Sequence, residues 1–273
     1  MIPSLSIIFI VISALLCFLI PVLGYKLVAK GPHKYAGVLI GGALSFFLSQ
    51  MVVRIPIMQL YLPNQQWYLN LGKSALGMAL FLGFTAALFE TMGRLFTLNL
   101  LLKKSLSYRT GVIHGLGHGG IEAILLVGLN YVIFAFFGLY LNSGVQEPLL
   151  FIIPHEQQAL IKSLLVDTPS YLFIIAGIER SLTIIVHISL SLLITVGIMK
   201  KQLLKYTLIT ISIHTLLDAI IVFVSYHTSN VYILEGIVFV FALISIIIII
   251  KLKNTIPEMP HKDEASQAVD EGY

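Results

Sequence analysis

The chain has 273 residues, of which 58% are hydrophobic and only 11% are charged, and its mean hydropathy is +0.95. A soluble domain carries about 25% charged residues, so this composition excludes an ordinary soluble protein. The net charge of +4 does not indicate a nucleic-acid-binding protein, because the basic residues lie in short loops between long apolar runs. Those runs predict an all-α polytopic membrane protein that lies in a lipid bilayer.

Seven membrane spans fit the hydropathy pattern. In chain order they cover residues 4–24, 36–53, 74–102, 110–140, 170–198, 204–225 and 230–250. We expect a single integral membrane domain over residues 1–252, with a catalytic core at about 80–225. The segment 147–167 is typical of an interfacial helix interrupted at Pro154. The polar tail, 253–273, is expected to be disordered.

The loops on the two sides of the predicted bundle differ in charge. Twelve basic residues follow spans 1, 3, 5 and 7, namely Lys26, Lys30, Lys34, Lys103, Lys104, Arg109, Lys200, Lys201, Lys205, Lys251, Lys253 and Lys262. The opposite loops contain only Arg54, Lys73 and Lys162. Because cytoplasmic loops are enriched in Lys and Arg, we expect the N-terminus outside and the C-terminal tail in the cytoplasm.

A small set of polar residues interrupts spans 3 to 6. A charged residue at the middle of a membrane costs roughly 2.5–3.5 kcal/mol, so such residues require partners or a function. The set comprises Glu90, Arg94, His114, His118, Glu122, Glu179, Arg180, His187, His214 and Asp218. Single pairs within it, such as Glu90 with Arg94, are also consistent with structural ion pairs. The whole set favours one functional polar cluster built by four helices.

The stretch HGLGHGGIE (114–122) carries the densest part of this set. Residues four apart lie on nearly the same face of a helix, so His114, His118 and Glu122 follow one face. Two histidines at this spacing can bind one metal ion when a further ligand comes from elsewhere, and His187 is a candidate. The intervening glycines allow a neighbouring helix, a substrate or water to approach closely.

Hydrolysis is the chemistry that this set suits best. It needs a base, a group that stabilises the oxyanion, and access to water. A buried glutamate can supply the base, and histidines, or a metal ion that they bind, can polarise the carbonyl. The residues leave open whether Glu90 or Glu122 is the base. They also leave open whether the cofactor is Zn²⁺ or whether the centre works without a metal.

Four segments resemble a known family in their order along the chain. FETMGR (89–94), GHGGIEAI (117–124), the mid-span His187 and HTLLD (214–218) resemble the YhfC-type membrane peptidases. These are distant relatives of the type II CAAX prenyl endopeptidase and bacteriocin-processing (CPBP, or Abi) superfamily. The resemblance implies a bundle of membrane helices that acts as an intramembrane protease. In that superfamily a glutamate and a histidine activate water, and a later His-xxx-Asn/Asp pair stabilises the oxyanion.

Carried over residue by residue, the resemblance makes Glu90 the base and Arg94 its structural partner. It assigns His118 or His187 to assist the base. The oxyanion would be stabilised by His214 with Asp218. The substrate would be a membrane-associated peptide or protein, and the location a bacterial plasma membrane.

Two other functional classes use buried clusters of the same kind. Histidines from two spans can hold a haem or a metal ion. Buried acids and histidines also form ion paths in proton- or metal-coupled transporters. No inverted repeat is evident in the sequence, which disfavours a transporter. A non-enzymatic member that binds a lipid or a partner protein stays a further alternative.

Overall fold

A computed structural model describes residues 1–29, 31, 35–144 and 154–256 of the chain. Within these ranges there are no strands, and seven helices are long and apolar enough to cross a membrane. They are α1 (Ser4–Ala29), α2 (Ala36–Asn64), α3 (Ala75–Leu101), α4 (Tyr108–Ser143), α5 (Ser170–Met199), α6 (Leu203–Ser225) and α7 (Val231–Lys253). The predicted all-α bundle of an integral membrane protein is thereby confirmed. The orientation of the termini stays a prediction.

Two predicted features extend beyond the described residues. Residues 147–153 of the predicted interfacial segment lie outside the described ranges, and a helix, His155–Asp167, begins directly after Pro154. Of the predicted polar tail, residues 257–273 lie outside them.

Helix α2 is longer than the hydropathy pattern indicates. The predicted span ends at residue 53, whereas the helix continues through Arg54 to Asn64 and contains a π-helical stretch, Phe47–Arg54. Arg54 can lie inside the helix because its guanidinium turns toward α3. Its Nη2 donates a hydrogen bond to the carbonyl oxygen of Leu82 at 3.0 Å, and its Nε donates to Thr85 Oγ1 at 3.2 Å.

Helix α5 is the central helix of the bundle. It packs against α1, α4, α6 and α7, and its C-terminal half is buried almost all round. Polar side chains connect it to two neighbours. Ser13 of α1 donates a hydrogen bond to the Phe173 carbonyl at 2.6 Å, and Ser189 of α5 donates to Ser245 of α7 at 3.0 Å. Such hydrogen bonds supplement packing where water is absent.

The glycines of α4 allow three helices to approach it closely. A Cβ atom on Gly117 would overlap the Leu39 carbonyl of α2, and one on Gly115 would overlap the α5 backbone at Ile188. A Cβ atom on Gly120 would lie 2.7 Å from Pro21 of α1. The backbone of α4 therefore lies close to the backbones of α2 and α5, as the glycine-rich stretch indicated. His118 lies between these contacts and is fully buried.

Substitution of Gly117 by alanine should separate α2 from α4. Overpacked sites of this kind cost about 1–3 kcal/mol of unfolding free energy. We expect Gly117→Ala to lower the thermal unfolding midpoint of the detergent-solubilised protein by several degrees. Gly236→Ala on α7 is the matched control, because a Cβ atom there meets nothing within 4 Å. Equal midpoints for the two variants would contradict the close packing.

Candidate functional site

Glu90 of α3 lies at the centre of the polar cluster and is only 4% exposed. Its Oε2 atom is 3.0 Å from His118 Nε2 and 3.2 Å from Arg94 Nη2. The Nδ1 atoms of His187 and His214 lie 3.8 Å and 3.7 Å from the same oxygen. One carboxylate oxygen thus faces a guanidinium from its own helix and imidazoles from α4, α5 and α6.

The hydrogen bonds of His118 determine which ring nitrogen carries a proton. Ser45 Oγ lies 2.6 Å from the Gly42 carbonyl and 2.6 Å from His118 Nδ1. Since a carbonyl only accepts, the single hydroxyl hydrogen goes to Gly42, and His118 Nδ1 donates to Ser45. A neutral His118 then directs the lone pair of Nε2 at Glu90 Oε2, which is also an acceptor. Two buried acceptors at 3.0 Å require a proton or a cation between them.

Glu122 reaches the same centre from the next turn of α4. Its Oε2 atom lies 2.6 Å from His187 Nε2, and its Oε1 atom accepts a hydrogen bond from Arg180 Nη1 at 2.9 Å. Arg180 also contacts Glu179, so both members of that dipeptide of α5 take part in the network. The Glu122 side chain is 12% exposed. Two carboxylates, Glu90 and Glu122, therefore flank the two imidazoles of His118 and His187.

Four side chains of this cluster form a set of metal-ligand type. Glu90, His118, Glu122 and His187 each offer a ligand atom, and these atoms lie within 4.8 Å of one another. Imidazole nitrogen and carboxylate oxygen are ligands of Zn²⁺ and of other transition metals. The facing acceptors of Glu90 and His118 also need a positive charge between them. The residues present therefore fit a metal ion.

Arg94 already brings one positive charge to this set. Its side chain is fully buried, and its Nη2 atom lies 2.6 Å from His187 Nδ1 and 3.2 Å from Glu90 Oε2. Because a guanidinium only donates, His187 Nδ1 is the acceptor here and, in the neutral ring, Nε2 carries the proton. Ligation of a metal by His187 Nε2 would therefore require Arg94 to withdraw from Nδ1.

His214 and Asp218 of α6 lie beside the four-residue set. His214 Nε2 is 3.3 Å from Asp218 Oδ2. The Nδ1 atom of His214 is buried, points toward Glu90 and has no hydrogen-bond partner among the described residues. The Asp218 side chain is 29% exposed, so this edge of the cluster is the more open one.

The structure does not bring His114 into the cluster, although the sequence pattern includes it among the candidate ligands. Its Nε2 atom lies 2.8 Å from Thr97 Oγ1 and its Nδ1 atom 3.1 Å from Ser191 Oγ. Both ring nitrogens are thus engaged by hydroxyl groups one turn away from Glu90. Glu122 lies in the cluster in its place, because the face of α4 turns gradually along the helix.

Sequence reasoning did not include α2 in the polar cluster. This helix contributes Ser45, which holds His118, and Gln50, whose Nε2 donates to Glu90 Oε1 at 2.7 Å. Arg54, interpreted from the sequence as a loop residue, donates to Gln50 Oε1 at 3.2 Å. The i,i+4 spacing of Gln50 and Arg54 in an otherwise apolar run was the one available signal.

Comparison with known proteins finds a matching family and a relative. The family described as YhfC intramembrane metalloprotease matches residues 16–247. A relative from Bacillus subtilis (strain 168), described as "Uncharacterized membrane protein YhfC", is 30% identical over 223 residues. That similarity covers 80% of this chain and 84% of the relative. No solved structure matches the chain.

Separate substitutions of His118 and His114, which lie on the same helix, should show which of the two binds a metal ion. We expect about one zinc ion per chain in the detergent-purified protein, in line with sites of this donor type. His118→Ala should lose the ion, whereas His114→Ala should keep it because its nitrogens lie with Thr97 and Ser191. Elemental analysis measures both. Loss of the ion in His114→Ala alone would contradict the assignment, and iron in place of zinc would favour a haem or redox protein.

Proposed function

Because this chain belongs to the YhfC intramembrane metalloprotease family, we propose that it hydrolyses a peptide bond of a membrane-associated substrate. The observation that carries the proposal is the buried, facing pair of Glu90 Oε2 and His118 Nε2, 3.0 Å apart, with Glu122 and His187 in reach. Ionisable groups inside a membrane cost free energy, and for that reason such a cluster indicates a function. Helices α5 and α6 add His187 and His214 to this centre, and imidazole groups can transfer protons.

In this proposal the metal ion would be held by Glu90, His118, Glu122 and His187. A bound Zn²⁺ polarises a carbonyl oxygen and lets a water molecule act as a nucleophile near neutral pH. Ser45 assists by holding His118 Nδ1, so that the lone pair of Nε2 points into the site. Arg94 balances the charge of the carboxylates and must release His187 Nδ1 when the site is loaded.

Proton transfer in the proposed reaction falls to His214. Its Nδ1 atom has no hydrogen-bond partner among the described residues and lies 3.7 Å from Glu90 Oε2, and Asp218 orients the ring from the other side. His214 can therefore accept a proton from the attacking water and return it to the leaving amine. When protonated, the same nitrogen can donate to an oxyanion, the assignment that the family resemblance suggests. Glu90 and Glu122 stay the alternative bases.

Arg94 offers further donors for a substrate. Its Nε and Nη1 atoms are buried and have no hydrogen-bond partner in the described part of the chain. Unpaired donors beside a hydrolytic centre suit a carbonyl oxygen that becomes negatively charged in the transition state. We therefore assign Arg94 to substrate binding as well as to the ion pair with Glu90.

The proposed substrate is a peptide or protein segment in or at the bilayer. The cluster lies within helices that cross the membrane, so a soluble protein would not reach it unaided. The similarity to a Bacillus membrane protein is consistent with a bacterial plasma membrane.

Removal of either carboxylate should abolish cleavage. We expect Glu90→Gln and Glu122→Gln each to lower the rate by about 10²–10⁴-fold, the usual contribution of a proton-transferring group, because each is an alternative base. Peptides released from membranes are compared by mass spectrometry between cells with the wild type and cells with each variant. Asp167→Asn, on the exposed end of the helix His155–Asp167, is the matched control and should behave as wild type. Peptide release that both glutamate variants retain would overturn the proposed function.

A further inference from the structure

We propose that Gln50 and Arg54 of α2 position the Glu90 carboxylate for metal binding. This inference rests on the proposed function, because it concerns the same centre. Neither residue belongs to the set of four candidate ligands, so both are positioning residues that act through Glu90.

The orientation of the Gln50 side chain follows from its two contacts. Gln50 is 4% exposed, and its Nε2 atom donates to Glu90 Oε1 at 2.7 Å. Its Oε1 atom accepts from Arg54 Nη1 at 3.2 Å. Since a guanidinium only donates, the amide oxygen must face Arg54 and the amide NH₂ must face Glu90. The direction of this chain of hydrogen bonds is thereby determined by chemistry and not only by the placement of atoms.

Arg54 is itself held on the helix that carries Glu90. Its Nε atom donates to Thr85 Oγ1, and its Nη2 atom donates to the Leu82 carbonyl, both on α3. The hydrogen bonds of Arg54 and Gln50 therefore connect two parts of α3 through α2. One end lies at Leu82 and Thr85, and the other lies at Glu90. A displacement of α2 relative to α3 would therefore change the position of the Glu90 carboxylate.

As a consequence, the two oxygens of Glu90 have different partners. Oε1 is occupied by a neutral amide donor, which leaves the negative charge of the carboxylate in place. Oε2 is left to face His118, Arg94 and the remaining imidazoles. Groups that hold a metal-ligating carboxylate in this way change metal affinity by about 10–100-fold when they are removed.

The test measures the affinity of the detergent-purified protein for Zn²⁺ by competition with a chelator of known affinity. Gln50→Met keeps the length of the side chain but cannot donate a hydrogen bond, and Gln50→Glu keeps its shape but presents an acceptor to Glu90. We expect both variants to bind Zn²⁺ about 10–100-fold more weakly than wild type. Gln59→Leu, an exposed glutamine on the same helix, is the control and should bind as wild type does.

A double substitution tests whether Arg54 acts through Gln50. Arg54→Leu alone should also weaken Zn²⁺ binding. If the two residues form one path, Arg54→Leu combined with Gln50→Met should weaken binding no more than Gln50→Met alone. Effects that multiply would overturn the path and leave Arg54 with a separate structural effect.

The outcomes separate this inference from the proposed function. A wild type that binds no Zn²⁺ overturns this inference and the metal ion of the proposed centre, whereas hydrolysis itself is tested by the peptide release of the glutamate variants. A wild type that binds Zn²⁺ while Gln50→Met and Gln50→Glu bind it equally tightly overturns only the positioning by Gln50. Gel filtration and thermal unfolding show which variants are folded. Should Gln50→Glu fail to fold because of its added charge, Gln50→Met decides the result.

Discussion

A carboxylate buried in the middle of an apolar bundle must be matched by donors or cations from its surroundings, and Glu90 is the carboxylate on which this structure depends. An unmatched charge there would cost several kcal/mol. The match comes from Arg94 one turn along α3, from Gln50 of α2 and from His118 of α4. Helices α5 and α6 add His187 and His214 at the edge of contact distance. The arrangement of five helices can thus be understood as the shell around one charged group.

The close packing of α4 makes this shell possible. Where helix backbones come nearly into contact, imidazole and hydroxyl groups of neighbouring helices lie within hydrogen-bond distance. Gly117 allows that contact with α2, and Gly115 allows it with α5. His118 directly follows Gly117, and it reaches Ser45 on one side and His187 on the other. The same glycines that reduce helix propensity thus allow these side chains to meet.

The charge balance of the cluster depends on Arg94, which donates to His187 and partly neutralises Glu90. In the proposed function, a divalent cation held by Glu90, His118, Glu122 and His187 would take over that neutralisation. The chain belongs to a family described as intramembrane metalloproteases, which supports the proposal of such a cation. Among the described residues, two donor atoms of Arg94 and the Nδ1 atom of His214 have no hydrogen-bond partner, and they lie beside this cluster.

The sequence by itself determined the membrane bundle, the approximate spans and most of the polar set, because these depend on hydropathy and on spacing within single helices. The pair of Glu90 and Arg94 is such a local feature, and so is the glycine-rich face of α4. Only the tertiary structure decided that His114 lies with Thr97 and Ser191, outside the cluster, and that α2 contributes Gln50 and Arg54. Periodicity shows which residues share one face of a helix, but it contains no information on how that face is rotated toward its neighbours. The rotation is set by packing between helices that are distant in the chain.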